Sequence, residues 1–436
     1  MLLILVPKET NRLHFTMQLM LTRLLGLEVA YTNDVYFFET YDGPKFSYGI
    51  SVDKKYLFFE TNGLLFESRI SGKELRHFTF EGSLVFFPVQ DPNSAIPFDV
   101  FAATFYLVSR YEEYLPHIRD NHSRFLASGS DAYQQGYLYK PLVNIWSLKI
   151  KEILHEWFKD LKFTTPVYSF VPTIDIDAAY AYKNKGITRA FGGIIKAFQN
   201  RDYDEVRHRI RTLMRIEHDP FDTFELQMQL QKKYNYKPIY FVLLADYGPN
   251  DKNIPYNNRY FQRLIRYLAD YAEIGIHPSY ASSLQPSLMV MESNRLSKIL
   301  KREVEHSRQH FLKLTLPETY RNLINNDIIH DYTMGYAEVP GFRASICTPF
   351  TFFDLDQDSQ TNLLIHPFAV MDGTLHDYMK LSPQKAIETI FELLAEVKKV
   401  GGTFMPLWHN TSLNEESDWK GWLDVFVTMA EEGIKR

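Results

Sequence analysis

From Val167 to the C-terminus the sequence alternates short apolar runs with longer amphipathic stretches, and this rhythm limits the fold more than any other feature. Strands are predicted at residues 167–176, 238–245, 274–278, 307–312, 328–334, 363–371 and 403–409. Helices are predicted at 260–273, 288–305, 317–325 and 382–400, where apolar residues recur at three- and four-residue spacing. Such alternation predicts parallel β/α units wrapped as a barrel or a doubly wound sheet. Residues 184–223 interrupt it and predict a helical insertion over the rim of a site.

The first 165 residues follow a different pattern. Strands of a mixed sheet are predicted at 2–6, 35–39, 56–60 and 84–89, and helices at 98–114 and 142–159. A chain of 436 residues exceeds the roughly 250 to 300 residues at which one core stops growing. We therefore expect an α+β domain of unknown role at 1–165 and an α/β domain at 166–436. The polar segment 120–125 is interpreted as a solvated loop, with a functional site as the alternative.

Charge and cysteine content exclude several classes of protein. The net charge is −5 without a long basic run, so nucleic acid is not an expected partner. One cysteine, Cys347, excludes Cys₄ and Cys₂His₂ zinc sites, so any metal must be held mainly by His, Asp and Glu. No apolar stretch approaches the roughly 20 residues of a membrane span. The start, residues 1–7, resembles a first strand rather than a signal peptide, and a cytoplasmic location is expected.

Two carboxylates, Asp175 and Asp177, close the first strand of the C-terminal part. Strand periodicity places both on one face, where like charges raise one pKa unless a cation lies beside them. A divalent metal would provide that cation. The same Asp-x-Asp pattern also occurs in turns, at helix N-caps and in the metal sites of glycosyltransferases, so the pattern alone leaves those alternatives open.

Further polar residues follow the later strands in order. Each is individually explained as a loop or a capped strand end, but their succession at strand ends favours a site, because sites in such folds form at the carboxyl ends of strands. These residues are His277, Arg308 with His310, Asp331, Arg343, His366 with Asp372, and His409.

The order of these motifs resembles that of the polysaccharide deacetylases (NodB homology, carbohydrate esterases), over about residues 167–412 and with an added N-terminal domain. Thr173 to Asp177 resembles the first family motif, in which a base precedes a metal ligand. His277 matches the first histidine of the second motif, whereas Ala281 stands where the family has a second. Arg308 to Phe311 resembles an Arg-x-Pro-Tyr strand, with His310 in place of proline. Pro406 to His409 resembles the last motif.

The resemblance implies an irregular (β/α) barrel that removes an N-acyl, typically N-acetyl, group from an amino sugar by means of a metal-activated water. Asp175 would be the base and Asp177 a metal ligand, although the intervening Ile176 allows these roles to be exchanged. His409 would be the acid. Arg308 would keep Asp175 ionised, and Asp372 or Asp331 would stabilise protonated His409.

The departure at Ala281 leaves a divalent ion, expected to be zinc, with Asp177 and His277 alone, whereas a catalytic zinc usually has three protein ligands. His310 is the predicted third ligand, because it lies on the next strand after His277 and adjacent parallel strands lie about 4.8 Å apart. The alternative is that His310 only packs and that water completes the shell. His366 and His376 are weaker candidates on later strands or loops.

Two other functions remain open. One is a catalytically impaired protein that binds glycans on the same barrel, which the missing second histidine favours. The other is a glycosidase, which needs two carboxyl groups on either side of the scissile bond, about 5 to 9.5 Å apart. Asp175 and Asp177 lie on one strand and do not supply that arrangement naturally.

Overall fold

The computed structural model describes residues 1–435. The N-terminal part contains six strands and five helices: β1 (Leu2–Leu5), α1 (Asn11–Met17), β2 (Val29–Thr32), α2 (Val35–Thr40), β3 (Lys45–Tyr48), β4 (Leu57–Phe59), β5 (Phe78–Phe80), β6 (Ser83–Val85), α3 (Val100–Val108), α4 (Asp131–Gln134) and α5 (Leu142–Trp157). A four-stranded sheet has the order β2-β1-β3-β4, and all its pairings are parallel. It is therefore not the mixed sheet predicted, and the antiparallel pair β5–β6 lies outside it.

The strand predicted at 35–39 is wrong, because these residues form α2. The side chain of Asp34 accepts hydrogen bonds from the backbone N–H groups of Tyr36 and Phe37, which caps a helix at its first turn. Only Phe38 of this apolar run is buried. A local side-chain contact thus outweighs the β propensity of the run.

The C-terminal part contains eleven strands and eight helices: β7 (Ser169–Phe170), β8 (Thr173–Ile176), α6 (Ile187–Gln199), α7 (Tyr203–Leu213), α8 (Phe224–Tyr234), β9 (Ile239–Val242), α9 (Arg259–Ala269), β10 (Glu273–Ile276), α10 (Pro286–Leu300), β11 (His306–Ser307), α11 (Glu318–Ile324), β12 (His330–Asp331), β13 (Phe350–Asp354), β14 (Ser359–Ile365), β15 (Val370–Met371), α12 (Pro383–Lys399), β16 (Thr403–Phe404), β17 (Pro406–His409) and α13 (Trp422–Gly433). Each of the four predicted helices is confirmed, and each predicted strand range contains strand residues. The predicted strand 307–312 is wrong beyond Ser307, because His310–Leu312 form a 3₁₀ helix in which Phe311 has a left-handed φ of 59°. The strand β13 was not predicted.

Nine of these strands form one sheet in the order β13-β14-β12-β11-β10-β9-β8-β17-β15. Every pairing is parallel except β13 with β14. Only residues 366–369 join β14 near one end of this order to β15 at the other end. Within them, the N–H of Phe368 donates to the Met334 carbonyl and the N–H of Ala369 to the Met405 carbonyl. The sheet therefore curves back on itself, which confirms the predicted α/β, irregular barrel fold.

The barrel interior is filled by side chains from strands that are distant in the sheet order. Phe241 on β9 packs against Tyr332, which follows β12, and their ring centroids are 5.0 Å apart. Gly275 on β10 is required by this packing, because a Cβ there would lie 2.6 Å from the Phe241 ring. The interior is thus a packed core, and space for a ligand is confined to the strand ends.

The predicted insertion at 184–223 is confirmed as helical, since it contains α6 and α7. The domain boundary at 165/166 stays a prediction, since the two parts share one continuous apolar core. For example, Phe15 on α1 and Phe105 on α3 both contact Phe353 on β13, each at 5.1 Å between ring centroids. None of the helices in residues 1–435 combines the length and apolarity that crossing a bilayer requires.

A buried charge network joins the two parts. Arg343 donates to both carboxylate oxygens of Glu113, at 2.9 and 2.6 Å, and Arg110 donates to Glu113 at 2.8 Å. A side-chain N–H of Arg110 also donates to the Arg343 carbonyl. Burial by itself would raise the pKa of Glu113, but the charges of Arg343 and Arg110 outweigh it and lower this pKa to about 2. Glu113 therefore contacts two buried guanidinium groups, of which Arg110 also pairs with Glu112 at 2.7 Å.

We expect Glu113→Gln to lower the free energy of unfolding by about 3–5 kcal/mol, because it leaves buried Arg343 without its counter-ion and Arg110 with Glu112 alone. A urea titration followed by circular dichroism measures this. The matched control is Glu388→Gln, which removes an exposed ion pair with Lys385 and should leave stability nearly unchanged. Equal stability of the two variants would show that the network does not hold the parts together.

Candidate active site and metal centre

The ends of four barrel strands bring the predicted site residues together. Asp175 lies on β8 and Asp177 just beyond its end, His277 follows β10, Arg308 and His310 follow β11, and His409 ends β17. These strands are parallel, and His409 is directly opposite Asp175 in the pairing of β17 with β8. Because the carboxyl ends of parallel strands meet at one edge, five of these side chains line one cleft, and Arg308 lies buried behind Asp175.

Asp177, His277 and His310 form a cluster with the composition and spacing of a divalent metal site. One ligand atom from each lies within 4.8 Å of the other two. His277 Nε2 is 3.1 Å from Asp177 Oδ1, and His310 Nε2 is 3.5 Å from Asp177 Oδ2. Both histidines are buried, whereas Asp177 is partly exposed to the cleft. His310 therefore lies where a third ligand was expected, although Ala281 stands in place of the family's second histidine.

The other ring nitrogens of the two histidines are held by acceptors. His277 Nδ1 is 2.6 Å from the Arg308 carbonyl, and His310 Nδ1 is 2.9 Å from Asp251 Oδ1. A carbonyl or carboxylate only accepts, so each Nδ1 carries a proton and each Nε2 is directed at Asp177, where a bound cation would take its lone pair. Metal-binding histidines are usually oriented by such contacts.

The contacts within the cluster favour positive charge at its centre. Asp177 Oδ1 is buried and has no hydrogen-bond partner among residues 1–435, although His277 Nε2 faces it. Burial alone would lower the pKa of His310, but the charges of Asp177 and Asp251 raise it to about 9. Burial would likewise raise the pKa of Asp177, but His310 and His277 hold it well below its ordinary value. Three lone-pair donors facing one point are the arrangement that a cation satisfies, so these residues fit a divalent metal.

Asp251 is a site residue that the sequence did not reveal. Besides His310 Nδ1, its carboxylate accepts the backbone N–H of Tyr280 at 2.9 Å. It lies in the loop after β9, at the same edge of the sheet as the other site residues. Its position after a predicted strand end was the available indication, but Asp251 lies nine residues beyond Val242 in a loop of residues 243–258, and the sequence does not show where this loop folds back.

Asp175 is buried beside the cluster and is paired with Arg308. The Arg308 Nη1 donates to Asp175 Oδ1 at 2.9 Å, and both residues are almost fully buried. Arg308 is itself fixed by the Tyr332 carbonyl at 2.9 Å and by stacking over Phe241, 4.6 Å from the ring centroid. The second oxygen of Asp175 lies 3.7 Å from His277 Nε2. One oxygen of this carboxylate is therefore anchored and the other faces the cluster.

His409 is oriented by Asp372 on the opposite side of the cluster. Asp372 Oδ1 accepts from His409 Nδ1, and Oδ2 accepts from the His409 backbone N–H, both at 2.8 Å. The hydroxyl of Ser412 also donates to this buried carboxylate. Burial alone would lower the pKa of His409, but Asp372, then Asp177, raise it to about 10. His409 Nε2 points into the cleft, 3.7 Å from Asp177 Oδ2.

Asp331, the alternative partner of His409, is not part of this pair. Its carboxylate accepts from the hydroxyl and the N–H of Thr333, and burial raises its pKa to about 6. The two weaker ligand candidates also lie elsewhere. His366 contacts His330 Nδ1 at 3.0 Å and stacks on Tyr332, and His376 stacks on Trp419.

The N-terminal part completes the cleft, which encloses about 220 Å³. Arg124 lines it and donates to the Phe311 carbonyl at 2.9 Å, to Asp120 at 2.7 Å and to the Tyr378 hydroxyl at 3.3 Å. The interpretation of 120–125 as only a solvated loop is therefore wrong for Arg124, which is buried. Phe311 has a φ of 59°, in the left-handed region, a costly conformation that is concentrated at functional sites.

Comparisons with known proteins give one family match and several structural similarities. Residues 2–159 match a family described as a family of unknown function, DUF7033. No curated protein matches the chain. Structures are similar over about 62% of the chain, among them polysaccharide deacetylases.

A crystal structure from Mycobacterium smegmatis, assigned to the polysaccharide deacetylases, has 15% sequence identity and a TM-score of 0.41. The similarity covers 62% of this chain and 84% of that one. A probable polysaccharide deacetylase from Pseudomonas aeruginosa PAO1 has 9% identity, a TM-score of 0.37 and coverages of 61% and 83%. A CE4 family pseudoenzyme from Bacillus anthracis has 12% identity, a TM-score of 0.29 and coverages of 63% and 66%. Because all three TM-scores lie below 0.5, we base the functional proposal on the site itself.

Two substitutions at His310 and Asp251 test the cluster in graded steps. We expect His310→Ala to weaken Zn²⁺ binding most, because a ligand is lost. Asp251→Asn should weaken binding by about 10- to 100-fold, because only the support of that ligand is lost. Titration calorimetry of chelator-treated protein measures both, with His376→Ala as a control outside the cluster. Unchanged affinity in His310→Ala would mean that this histidine only packs.

Proposed function

We propose that this chain is a metal-dependent hydrolase that removes an N-acyl group, in the first instance N-acetyl, from an amino sugar or related carbohydrate. The observation that carries the proposal is that Asp175 and His409, two groups able to transfer protons, lie on either side of the Asp177, His277 and His310 cluster. Each is within 3.7 Å of a cluster atom. The motif order, which resembles the polysaccharide deacetylases, supports the substrate class.

Asp177, His277 and His310 would hold the ion, and zinc suits this set of oxygen and nitrogen donors. Such an ion supplies an acidified water and polarises the acyl oxygen. Asp175 takes a proton from the attacking water as the water oxygen adds to the acyl carbon. Arg308 is a positioning residue, since its ion pair anchors one oxygen of Asp175 and leaves the other directed to the cluster.

His409 completes the reaction on the other side of the cleft. The C–N bond breaks only if the departing nitrogen receives a proton, because an amide anion is a very poor leaving group. Protonated His409 donates that proton, and the products are a carboxylic acid and a free amine. Asp372 is a second positioning residue, which directs His409 Nε2 into the cleft and stabilises the charged ring.

The alternative of an impaired glycan-binding protein has less support. Its basis was the missing ligand at Ala281, and the place of His310 in the cluster counts against it. A two-carboxylate glycosidase has less support as well. Asp175 is paired with Arg308 and Asp177 faces two histidines, so neither carboxyl group is free to act as the acid that glycoside hydrolysis needs.

We expect Asp175→Asn to abolish acetate release from N-acetylglucosamine oligosaccharides while leaving zinc content nearly unchanged, because the residue moves a proton rather than anchoring the ion. Acetate assay and metal analysis of the same preparation measure the two effects. Asp246→Asn, an exposed carboxylate after β9, is the control. Loss of zinc together with activity would reverse the proposed roles of Asp175 and Asp177.

We expect His409→Ala to lower kcat for the N-acetyl substrate by about 10² to 10⁴, the usual contribution of a positioned acid. Hydrolysis of 4-nitrophenyl acetate should fall far less, because its leaving group departs without protonation. Comparing both substrates on one preparation separates acid catalysis from binding. An equal loss on the ester and the amide would contradict the role of His409 as the acid.

A further inference from the structure

The two helices of the insertion expose an unusual amount of apolar surface. We call residues 187–216, which comprise α6, α7 and the turn after it, the α6–α7 hairpin. Of 27 large apolar side chains exposed in residues 1–435, nine lie in these 30 residues. They are Ile187, Phe191, Ile195, Phe198, Tyr203, Ile210, Leu213, Met214 and Ile216. Surface apolar residues are normally scattered singly, and such a concentration marks an interaction site.

The apolar face of α6 points away from the protein. Ile187, Phe191 and Ile195 are four residues apart and Phe198 follows by three, so they share one face. The other side packs on α7: Ala197 is buried, and a Cβ at Gly193 would lie 2.3 Å from the Arg209 side chain. A helix on the surface of a globular protein normally turns its apolar side inward, whereas α6 does the reverse.

The hairpin is also rich in basic residues. The α6–α7 hairpin carries seven Lys and Arg against three Asp and Glu, a net charge of +4, in a chain whose net charge is −5. Glu205 already pairs with Arg209 at 2.7 Å. Lys196, Arg201, Arg207 and Arg215 are exposed and have no ion-pair partner within the described part of the chain.

We infer that the α6–α7 hairpin binds the surface of a lipid bilayer that contains anionic phospholipid. Such a surface receives an apolar helix face at the acyl boundary and attracts basic side chains through its head groups. A second copy of this chain fits less well, because it would bring another net charge of +4 against the first. Nucleic acid would leave the nine apolar side chains without a partner.

The hairpin is attached at the rim of the cleft. The Asp219 carboxylate accepts the backbone N–H groups of Ala181, Tyr182 and Lys183 at 2.7–2.9 Å, which joins the two ends of the insertion. Arg189 donates to the carbonyls of Lys252 and Asn253, next to Asp251. A bound bilayer would therefore lie near the cluster. Presentation of a lipid-linked substrate to the cluster rests on the proposed function, whereas membrane binding itself does not.

Vesicle sedimentation of the full chain tests the inference. The probes are vesicles of phosphatidylcholine alone and vesicles that also contain about 30 mol% phosphatidylglycerol, at low and high salt, since salt screens head-group attraction. We expect binding to the anionic vesicles that weakens with salt, and little binding to the neutral ones. Phe191→Ser with Ile195→Ser, and separately Lys196→Glu with Arg207→Glu, should each lower the partition coefficient at least tenfold.

Matched controls change the same chemistry elsewhere. Ile118→Ser with Val167→Ser removes two exposed apolar residues, and Lys232→Glu with Lys237→Glu reverses two exposed charges. Both should bind as the unaltered chain does, and circular dichroism checks that every variant is folded. Equal losses in these controls would overturn the assignment to the hairpin.

Two further outcomes would overturn the inference. One is an unaltered chain that stays in solution with anionic vesicles. The other is a dimer in analytical ultracentrifugation that becomes a monomer in the Phe191→Ser, Ile195→Ser variant, while no protein binds vesicles. That result would show that the hairpin binds a second copy of the chain instead. The vesicle result does not depend on deacetylation. A protein that binds vesicles but releases no acetate from N-acetylated sugars would contradict the proposed function and leave this inference intact.

Discussion

Two carboxylates two residues apart at the end of a buried strand would be costly to keep ionised together, and the surrounding side chains of the cleft answer that constraint. Asp175 receives a permanent cation from Arg308, which is itself held by a backbone carbonyl and an aromatic ring. Asp177 instead faces the Nε2 atoms of two histidines and has no hydrogen bond to one of its oxygens. The two carboxylates thus differ in the groups that face them, and this difference is the basis on which we propose one as the base and the other as a metal ligand.

The same constraint explains why so many supporting contacts surround the cluster. A histidine ring can turn either nitrogen toward a cation, and the contacts of His277 Nδ1 with the Arg308 carbonyl and of His310 Nδ1 with Asp251 fix the choice. Arg308 therefore acts on both sides of the site. Its guanidinium pairs with Asp175, and its backbone carbonyl holds the His277 ring that faces Asp177. The N-terminal part adds to this support, because Arg124 holds the Phe311 carbonyl directly after His310, and the Glu113 network ties that part to the barrel.

Features that depend on strand order could be predicted from the sequence, and features that depend on loop paths could not. His310 was predicted beside His277 because successive parallel strands are neighbours, and β10 does pair with β11. Asp251 and Arg124 reach the site from loops, whose paths are decided by tertiary contacts rather than by local pattern. The strand β13 was missed because it belongs to an antiparallel pair, which the β/α alternation does not contain. The segment 35–39 was misassigned because a cap at Asp34 outweighs its strand-like composition.

The outward apolar face of α6 also accounts for how the hairpin is attached. Since Phe191, Ile195 and Phe198 do not pack on the barrel, burial of apolar surface cannot hold the hairpin in place as it holds other surface helices. Polar contacts replace it: Asp219 ties three backbone N–H groups, and Arg189 binds two carbonyls beside Asp251. This attachment leaves the apolar face free for a partner and anchors the hairpin on the loop that orients His310. The surface that we propose to bind a bilayer and the contact that orients His310 are therefore held by one short stretch of chain, residues 251–253.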